Sequence, residues 1–212
     1  NRPCLLEDKV DFTHELSVIV ARNASGETMS YTVVEMEFHP TANQVEYVIA
    51  PARIDPELHQ RAQELAEKVA DEMDIVGLLA VELFLMGSGQ LLVNEVAPRP
   101  HNSGHVSIEA SYTNQFEQYL RAILDLPLGP TKQKTAAVMV NLVGAEGHTG
   151  PPIYKNMEQV LAMKGVTPHI YGKQRTRPVR KMGHVNIIDA DVDQARKKAE
   201  KVKSKISVIS YE

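Results

Sequence analysis

Two glutamates, Glu82 and Glu95, lie in neighbouring apolar segments whose pattern predicts a β-hairpin. The segments Leu78–Leu85 and Leu91–Ala97 are separated by a break that contains a Ser-Gly dipeptide, which is typical of a hairpin turn. If that dipeptide forms the tip, Glu82 pairs directly with Glu95. Facing carboxylates repel each other across an antiparallel pair, and their oxygens suit a hard divalent cation such as Mg²⁺. The pattern predicts a metal site, although a shift of one residue in the register would leave both glutamates facing solvent.

A short loop rich in hydrogen-bond donors follows the second glutamate. It contains Arg99, His101, Asn102 and His105, and two prolines and a glycine keep it from forming a regular helix. Donors presented beside a metal site predict a binding site for an anion.

A cluster of cations lies further along this net-acidic chain. Its five members fall within nine residues and are Lys173, Arg175, Arg177, Arg180 and Lys181. Arginine matches phosphate oxygens bidentately and lysine acts as a point charge, so the cluster is a candidate phosphate site. A solvated basic loop remains the alternative from composition alone.

The composition narrows the class of protein. With 212 residues, 43% of them hydrophobic, the chain can bury one substantial core and a smaller second one. The net charge of −4 and the 5% aromatic content argue against a general nucleic-acid surface. No run of twenty apolar residues predicts a membrane span, and one cysteine without a signal peptide is typical of a cytoplasmic protein.

The elements that would position these groups predict an α+β fold. Asp55-Pro56 begins a predicted amphipathic helix, with Asp55 as N-cap and Pro56 at the first helical position. The helix leads to Gly77 and the hairpin, and Leu126-Pro127-Leu128-Gly129-Pro130 ends a later helix. We therefore expect two domains, at residues 1–127 and 128–212.

Four stretches of sequence carry a family resemblance. The run VNEVAPRPHNSGH, preceded by AVELF and followed by NQFEQYLRAILDLPLG, resembles the 5-(carboxyamino)imidazole ribonucleotide synthase family of ATP-grasp enzymes. Ala97 lies two residues after the second glutamate, where many other ATP-grasp proteins have asparagine. The cationic cluster reads YGKQRTRPVRKMGHVN and matches the family pattern YxKxxxRPxRKxGHxN. The resemblance covers nearly the whole chain.

The resemblance implies a fold and a nucleotide site. The fold would be the C-terminal subdomain of an ATP-grasp module, mainly an antiparallel sheet with helices, followed by a small mixed α/β domain. Glu7 and Val10 would lie at the adenine hinge and Glu15 would accept hydrogen bonds from the ribose of ATP. Glu82 and Glu95 would hold Mg²⁺, or Mn²⁺ in its place. The sequence starts at Asn1 rather than at a methionine, with an apolar run already under way. We therefore also expect the family's N-terminal portion to be absent and this chain to be inactive by itself.

The resemblance further implies the substrates. The enzyme would join bicarbonate to the amine of 5-aminoimidazole ribonucleotide in purine biosynthesis, giving ADP and phosphate through carboxyphosphate. Arg99, His101 and Asn102 would bind bicarbonate and then carboxyphosphate, whereas Lys173 and Arg180 would bind the ribonucleotide phosphate. We expect a cytoplasmic homodimer without nucleic-acid or membrane partners. The roles of the remaining candidates are left unassigned, namely His39, His105, Arg175, Arg177 and His184.

Two other functions stay open at this point. Another ATP-grasp ligase would share the two glutamates but would not need the loop or the cationic cluster. A non-catalytic nucleotide-binding module would tolerate neutral residues at Glu82 and Glu95, so the intact pair argues against it.

Overall fold

The structure is a computed structural model that describes residues 3–4, 6–40 and 44–211. Its strands are β1 (His14–Arg22), β2 (Thr28–Ser30), β3 (Val34–Phe38), β4 (Val45–Ala50), β5 (Gly77–Leu85), β6 (Leu91–Ala97), β7 (Ala136–Val143), β8 (Pro152–Lys155), β9 (Val166–Ile170), β10 (Lys181–Asp189) and β11 (Ser207–Ser210). Nine strands form one sheet in the order β6-β5-β1-β3-β4-β7-β10-β9, with β2 beside β1. All of these pairings are antiparallel, and β8 pairs with β11 separately.

Helices cover parts of the sheet, so the predicted α+β class is confirmed. They are α1 (Pro56–Glu72), α2 (Ser107–Ala110), α3 (Gln115–Ile123), α4 (Met157–Leu161) and α5 (Val192–Lys205), and a 3₁₀ turn spans Asn102–Gly104. No helix among the described residues is both long and apolar enough to cross a membrane.

The predicted helix after Asp55 forms as α1 and builds one core. Ala62, Ala66 and Ala70 recur at helical spacing, are fully buried, and pack against apolar side chains of β1 and β5. Small side chains at these positions let the helix lie close to the sheet. Pro56 occupies the first turn as predicted, but the side chain of Asp55 makes no capping hydrogen bond.

A second core lies under α5. Ala195, Ala199 and Val202 are buried in one cluster with Val138 of β7 and Ile187 of β10. The sheet itself is continuous between the two cores, because β4 pairs with β7. This pairing joins segments on either side of the boundary expected at residues 127 and 128, which stays a prediction.

Candidate active site

The predicted hairpin forms, and it brings Glu82 and Glu95 opposite each other as register partners on β5 and β6. Leu85 pairs with Leu91, so the turn spans the predicted break at residues 86–90. Its tip is shifted by one residue from the assumed Ser88-Gly89, because the amide of Gly89 donates to the carbonyl of Met86 at 2.9 Å and the turn centres on Gly87-Ser88. The register then shifts between Glu82 and Leu83, where β6 carries one extra residue, Asn94. This β-bulge compensates for the shifted tip. The glutamates therefore pair as predicted, by a different local geometry.

Glu82 lies among other carboxylates on one face of the sheet. Its side chain is 12% exposed, and burial together with the charges of Glu95 and Glu15 raises the pKa of Glu82 from 4.5 to about 7. Burial and Glu95 also raise the pKa of Glu15. A bound cation would relieve this repulsion, so the glutamate pair fits a divalent ion that prefers oxygen ligands. Among the described residues, no group of three or more His, Cys, Asp or Glu side chains is placed to hold a metal.

His101 lies beside this pair, with its Nε2 3.5 Å from Oε1 of Glu82. Burial and the cations Arg99 and Lys181 lower the pKa of His101 to about 4, so its ring is neutral at neutral pH. Gln115 fixes the loop here: its Oε1 accepts from the His101 amide at 2.9 Å, and its Nε2 donates to the His101 carbonyl at 2.9 Å. A Cβ on Gly104 would lie 2.5 Å from Gln115 Oε1, so this contact requires glycine.

The side chains of Arg99 and Asn102, the other two predicted loop residues, make different contacts. Arg99 is exposed and donates from Nη1 to the carbonyl of Pro100 at 3.1 Å. The amide of Asn102 exchanges hydrogen bonds with Asn141 of β7 at 3.0 and 2.8 Å. Its Oδ1 also accepts from Nζ of Lys181 at 3.2 Å. Asn102 therefore ties the loop to β7 and β10.

The sequence predicts Lys181 only as a member of the cationic cluster. The structure shows that its charge also acts on Glu82 of the glutamate pair. Burial is the main cause that lowers its pKa, with Arg99 and Lys173 acting in the same direction and Glu82 opposing them. Lys181 therefore lies near both the glutamate pair and the cationic cluster. Its place next to Arg180 within the cationic cluster was the signal available in the sequence.

Lys173 and Arg180 come close together in the cationic cluster. Burial and the charge of Arg180 lower the pKa of Lys173. Nζ of Lys173 donates to the carbonyl of Lys181 at 2.5 Å, and Nη1 of Arg180 donates to the carbonyl of Arg175 at 2.9 Å. Arg175 and Arg177 are exposed. The cluster can thus present an anion site beside Lys181.

Glu7 and Val10 line an open cleft of about 510 Å³ beside the hairpin. Phe12 and Phe84 also line it, and their rings stack with centroids 4.5 Å apart. Glu15 is the register partner of Phe84 across β1 and β5, so the cleft adjoins the carboxylate face. The structure therefore brings the three predicted nucleotide-binding residues to one region, next to the glutamate pair.

A stack of histidines supports the loop from the other side. The ring of His184 lies 4.5 Å, centroid to centroid, from the rings of both His105 and His169. Burial lowers the pKa of His184 to about 3 and of His105 to about 4, so these two rings are neutral. Tyr171 bonds to Nδ1 of His184 at 3.0 Å, and Glu109 bonds to His169 at 2.9 Å. The stack joins the loop to β9 and β10, which gives His105 and His184 a structural part.

Comparisons with known protein families match most of the chain. The ATP-grasp domain family matches residues 1–116, and the family described as phosphoribosylaminoimidazole carboxylase C-terminal domain matches residues 137–198.

Individual relatives agree with these matches. N5-carboxyaminoimidazole ribonucleotide synthase of Bacillus subtilis is 43% identical over 90% of this chain and 48% of its own length. The crystal structure of N5-carboxyaminoimidazole ribonucleotide synthetase from Thermotoga maritima superposes with a TM-score of 0.90 at 47% identity, over 96% of this chain and 55% of that one. The synthase from Aspergillus clavatus, solved with ADP and 5-aminoimidazole ribonucleotide, gives a TM-score of 0.82 at 32% identity, over 91% and 51% of the two chains. The chain spans about half the length of the curated relatives named as this synthase.

Proposed function

Because this chain belongs to the ATP-grasp family, we propose that it supplies the metal-binding and substrate-binding groups of a ligase that carboxylates 5-aminoimidazole ribonucleotide with bicarbonate. One observation carries the proposal: Glu82 and Glu95 face each other, His101 lies beside Glu82, and the positive charges of Lys181 and Arg99 act on the Glu82 carboxylate. This arrangement supports a cation site directly beside an anion site. Such a pair of sites is what transfer of a phosphoryl group from ATP to an anionic acceptor requires.

We assign the nucleotide to the cleft at the hairpin. Glu7 and Val10 would contact the adenine, and Glu15 would accept hydrogen bonds from the ribose hydroxyls. Glu82 and Glu95 would hold Mg²⁺, or Mn²⁺. When bound, the ion lowers the charge repulsion that opposes attack on the γ-phosphoryl group.

The anion site would hold bicarbonate and then carboxyphosphate. A bicarbonate oxygen attacks the γ-phosphorus of ATP and ADP leaves. The amine of the ribonucleotide then attacks the carboxyl carbon, phosphate leaves, and the leaving phosphate takes up the proton that the amine loses. Arg99, His101 and Lys181 would donate hydrogen bonds to the anion and orient it. Asn102 would act through its bonds to Asn141 and Lys181, which hold the loop and the ammonium group in place.

The cationic cluster would bind the phosphate of 5-aminoimidazole ribonucleotide. Arg180 would provide a bidentate contact and Lys173 a point charge. Lys181 lies close enough to both groups for the charges of Glu82 and Lys173 to act on its pKa. The ribonucleotide would therefore lie with its phosphate in the cluster and its amine towards the anion loop.

We also propose a cytoplasmic homodimer. Exposed apolar side chains at α3 support the dimer, because Leu120 is 55% and Leu124 63% exposed and they follow each other along the helix and its C-cap. Apolar surface of this kind is typical of an interaction site. The reaction consumes ATP and bicarbonate, both of which the cytoplasm supplies.

The test uses a full-length ATP-grasp enzyme that contains this chain. It measures the incorporation of ¹³C-labelled bicarbonate and the release of phosphate. We expect ADP, phosphate and a labelled carbamate only when bicarbonate and 5-aminoimidazole ribonucleotide are both present. Glu95→Gln should abolish this turnover, whereas Glu64→Gln, at an exposed position of α1, should not. Turnover with a different amine in place of the ribonucleotide would indicate another ATP-grasp ligase, and nucleotide binding without turnover a non-catalytic module.

A further inference from the structure

We propose that Ser103, supported by Ser17, is a positioning residue that holds His101 in the tautomer with its proton on Nε2, so that His101 donates a hydrogen bond to the oxyanion beside Glu82. The inference rests on the proposed function for the identity of that anion, a bicarbonate or carboxyphosphate oxygen. Neither Ser17 nor Ser103 is among the site residues that the sequence predicts.

Two groups of Ser103, its backbone amide and its hydroxyl, together favour one position of the ring proton. Its amide nitrogen lies 3.4 Å from Nδ1 of His101, with His101 as the acceptor. An amide N–H can only donate, so Nδ1 must present a lone pair. The hydroxyl of Ser103 lies 2.9 Å from the same nitrogen and can donate to it as well. In a neutral imidazole, the proton then resides on Nε2.

Ser17 determines the direction in which these hydrogen bonds are donated. Its Oγ lies 2.8 Å from Oγ of Ser103, and both serines are 1% exposed. Because the hydroxyl of Ser103 donates to His101, its oxygen is available to accept from the hydroxyl of Ser17. The hydrogen bonds therefore run from Ser17 to Ser103 to Nδ1 of His101. Buried polar chains of this kind favour a single geometry, because a broken link leaves a buried group unsatisfied.

The opposite side of the ring faces the reaction site. Nε2 lies 3.5 Å from Oε1 of Glu82, and the strand register places Ser17 opposite Glu82 and Glu82 opposite Glu95. This relay of hydrogen bonds, from Ser17 through Ser103 to His101, thus begins on β1, next to the glutamate pair. It ends at Nε2 of His101, which faces Glu82. In this tautomer Nε2 cannot accept a proton from the amine of the ribonucleotide. His101 is then a hydrogen-bond donor to the anion and not a general base.

The first experiment tests the tautomer in the chain itself, without reference to activity. The chain is labelled with ¹⁵N-histidine, and long-range ¹H–¹⁵N spectra assign His101 by comparison with His101→Gln. We expect Nδ1 of His101 to be of the pyridine type and Nε2 of the pyrrole type. Ser103→Ala removes the hydroxyl at 2.9 Å and keeps only the amide donor at 3.4 Å, so the form with its proton on Nε2 should lose population in this variant. A protonated Nδ1 in the unsubstituted chain would overturn the inference, whether or not the enzyme carboxylates the ribonucleotide.

The second experiment measures kinetics in the full-length enzyme. Loss of one neutral hydrogen bond should raise the KM for bicarbonate roughly three- to tenfold in Ser103→Ala, with the KM for ATP nearly unchanged. Ser103→Thr, which keeps the hydroxyl, should restore most of the loss. Ser111→Ala is the matched control, since this buried serine lines the same small cavity as Ser103. Equal effects on both KM values, or an equal effect of Ser111→Ala, would show a purely structural role.

The third comparison separates a donor from a base at His101. A glutamine side-chain amide can place an N–H near the position of Nε2, whereas that of asparagine reaches only the region of Nδ1. We expect His101→Gln to keep more of the bicarbonate-dependent turnover than His101→Asn. Equal loss in the two variants would contradict the donor role. Correct tautomer spectra without any bicarbonate-dependent turnover would instead refute the proposed function and leave the relay intact.

Discussion

Replacing Glu82 by glutamine should change how the stability of the metal-free protein depends on pH. The pKa of Glu82 rises from 4.5 to about 7 in the folded state. Because the folded-state pKa lies above the unfolded value, the native state binds more protons between these pH values, and the free energy of unfolding falls as the pH rises. A pKa difference of this size corresponds to about 3 kcal/mol. Glutamine has nearly the same shape and does not titrate, so the variant lacks this loss.

The assay is urea unfolding in EDTA at several pH values from 4.5 to 8, for the unsubstituted chain, Glu82→Gln and the exposed control Glu64→Gln. The stability of Glu82→Gln relative to the unsubstituted chain should increase by up to about 3 kcal/mol across this window, and the control should show no such increase. Saturating Mg²⁺ should stabilise the unsubstituted chain at pH 8 and have little effect on Glu82→Gln. Parallel pH profiles for all three proteins in EDTA would refute the reasoning that burial and the neighbouring glutamates raise the pKa of Glu82.

Three further predictions test other parts of the site. Arg180→Ala in the full-length enzyme should raise the KM for 5-aminoimidazole ribonucleotide at least about tenfold, since a charge-assisted contact contributes about 1.5–3 kcal/mol. Steady-state kinetics should show little change in the KM for ATP, and equal changes in the two KM values would indicate a damaged fold. Gly104→Ala should displace Gln115 from His101 and reduce stability by about 1–3 kcal/mol, together with turnover, and unaltered urea unfolding would contradict the close contact. Leu120→Glu should convert the proposed dimer to a monomer in sedimentation velocity, and an unchanged sedimentation coefficient would place the interface elsewhere.

The sequence by itself determined the elements and motifs that depend on local pattern. The helix after Asp55 could be predicted because Pro56 and the alanine spacing act within one segment. The pairing of Glu82 with Glu95 could be predicted because a hairpin joins neighbouring segments. The family motifs then indicated which other charged residues belong to the same site, although they carried no geometry.

The tertiary structure decided everything that depends on contacts between distant segments. The bulge at Asn94 depends on how β6 fits against β5, and the capping bond of Asp55 failed to form although its residue type favours one. The position of Lys181 beside Glu82, and the contact of Ser17 with Ser103, each join residues far apart in the chain. Such contacts leave no periodic signal, because a lysine or serine that turns into a site has the same local sequence as one that faces solvent. The sequence therefore identified the chemical groups, and the fold determined which of them meet and in which protonation state.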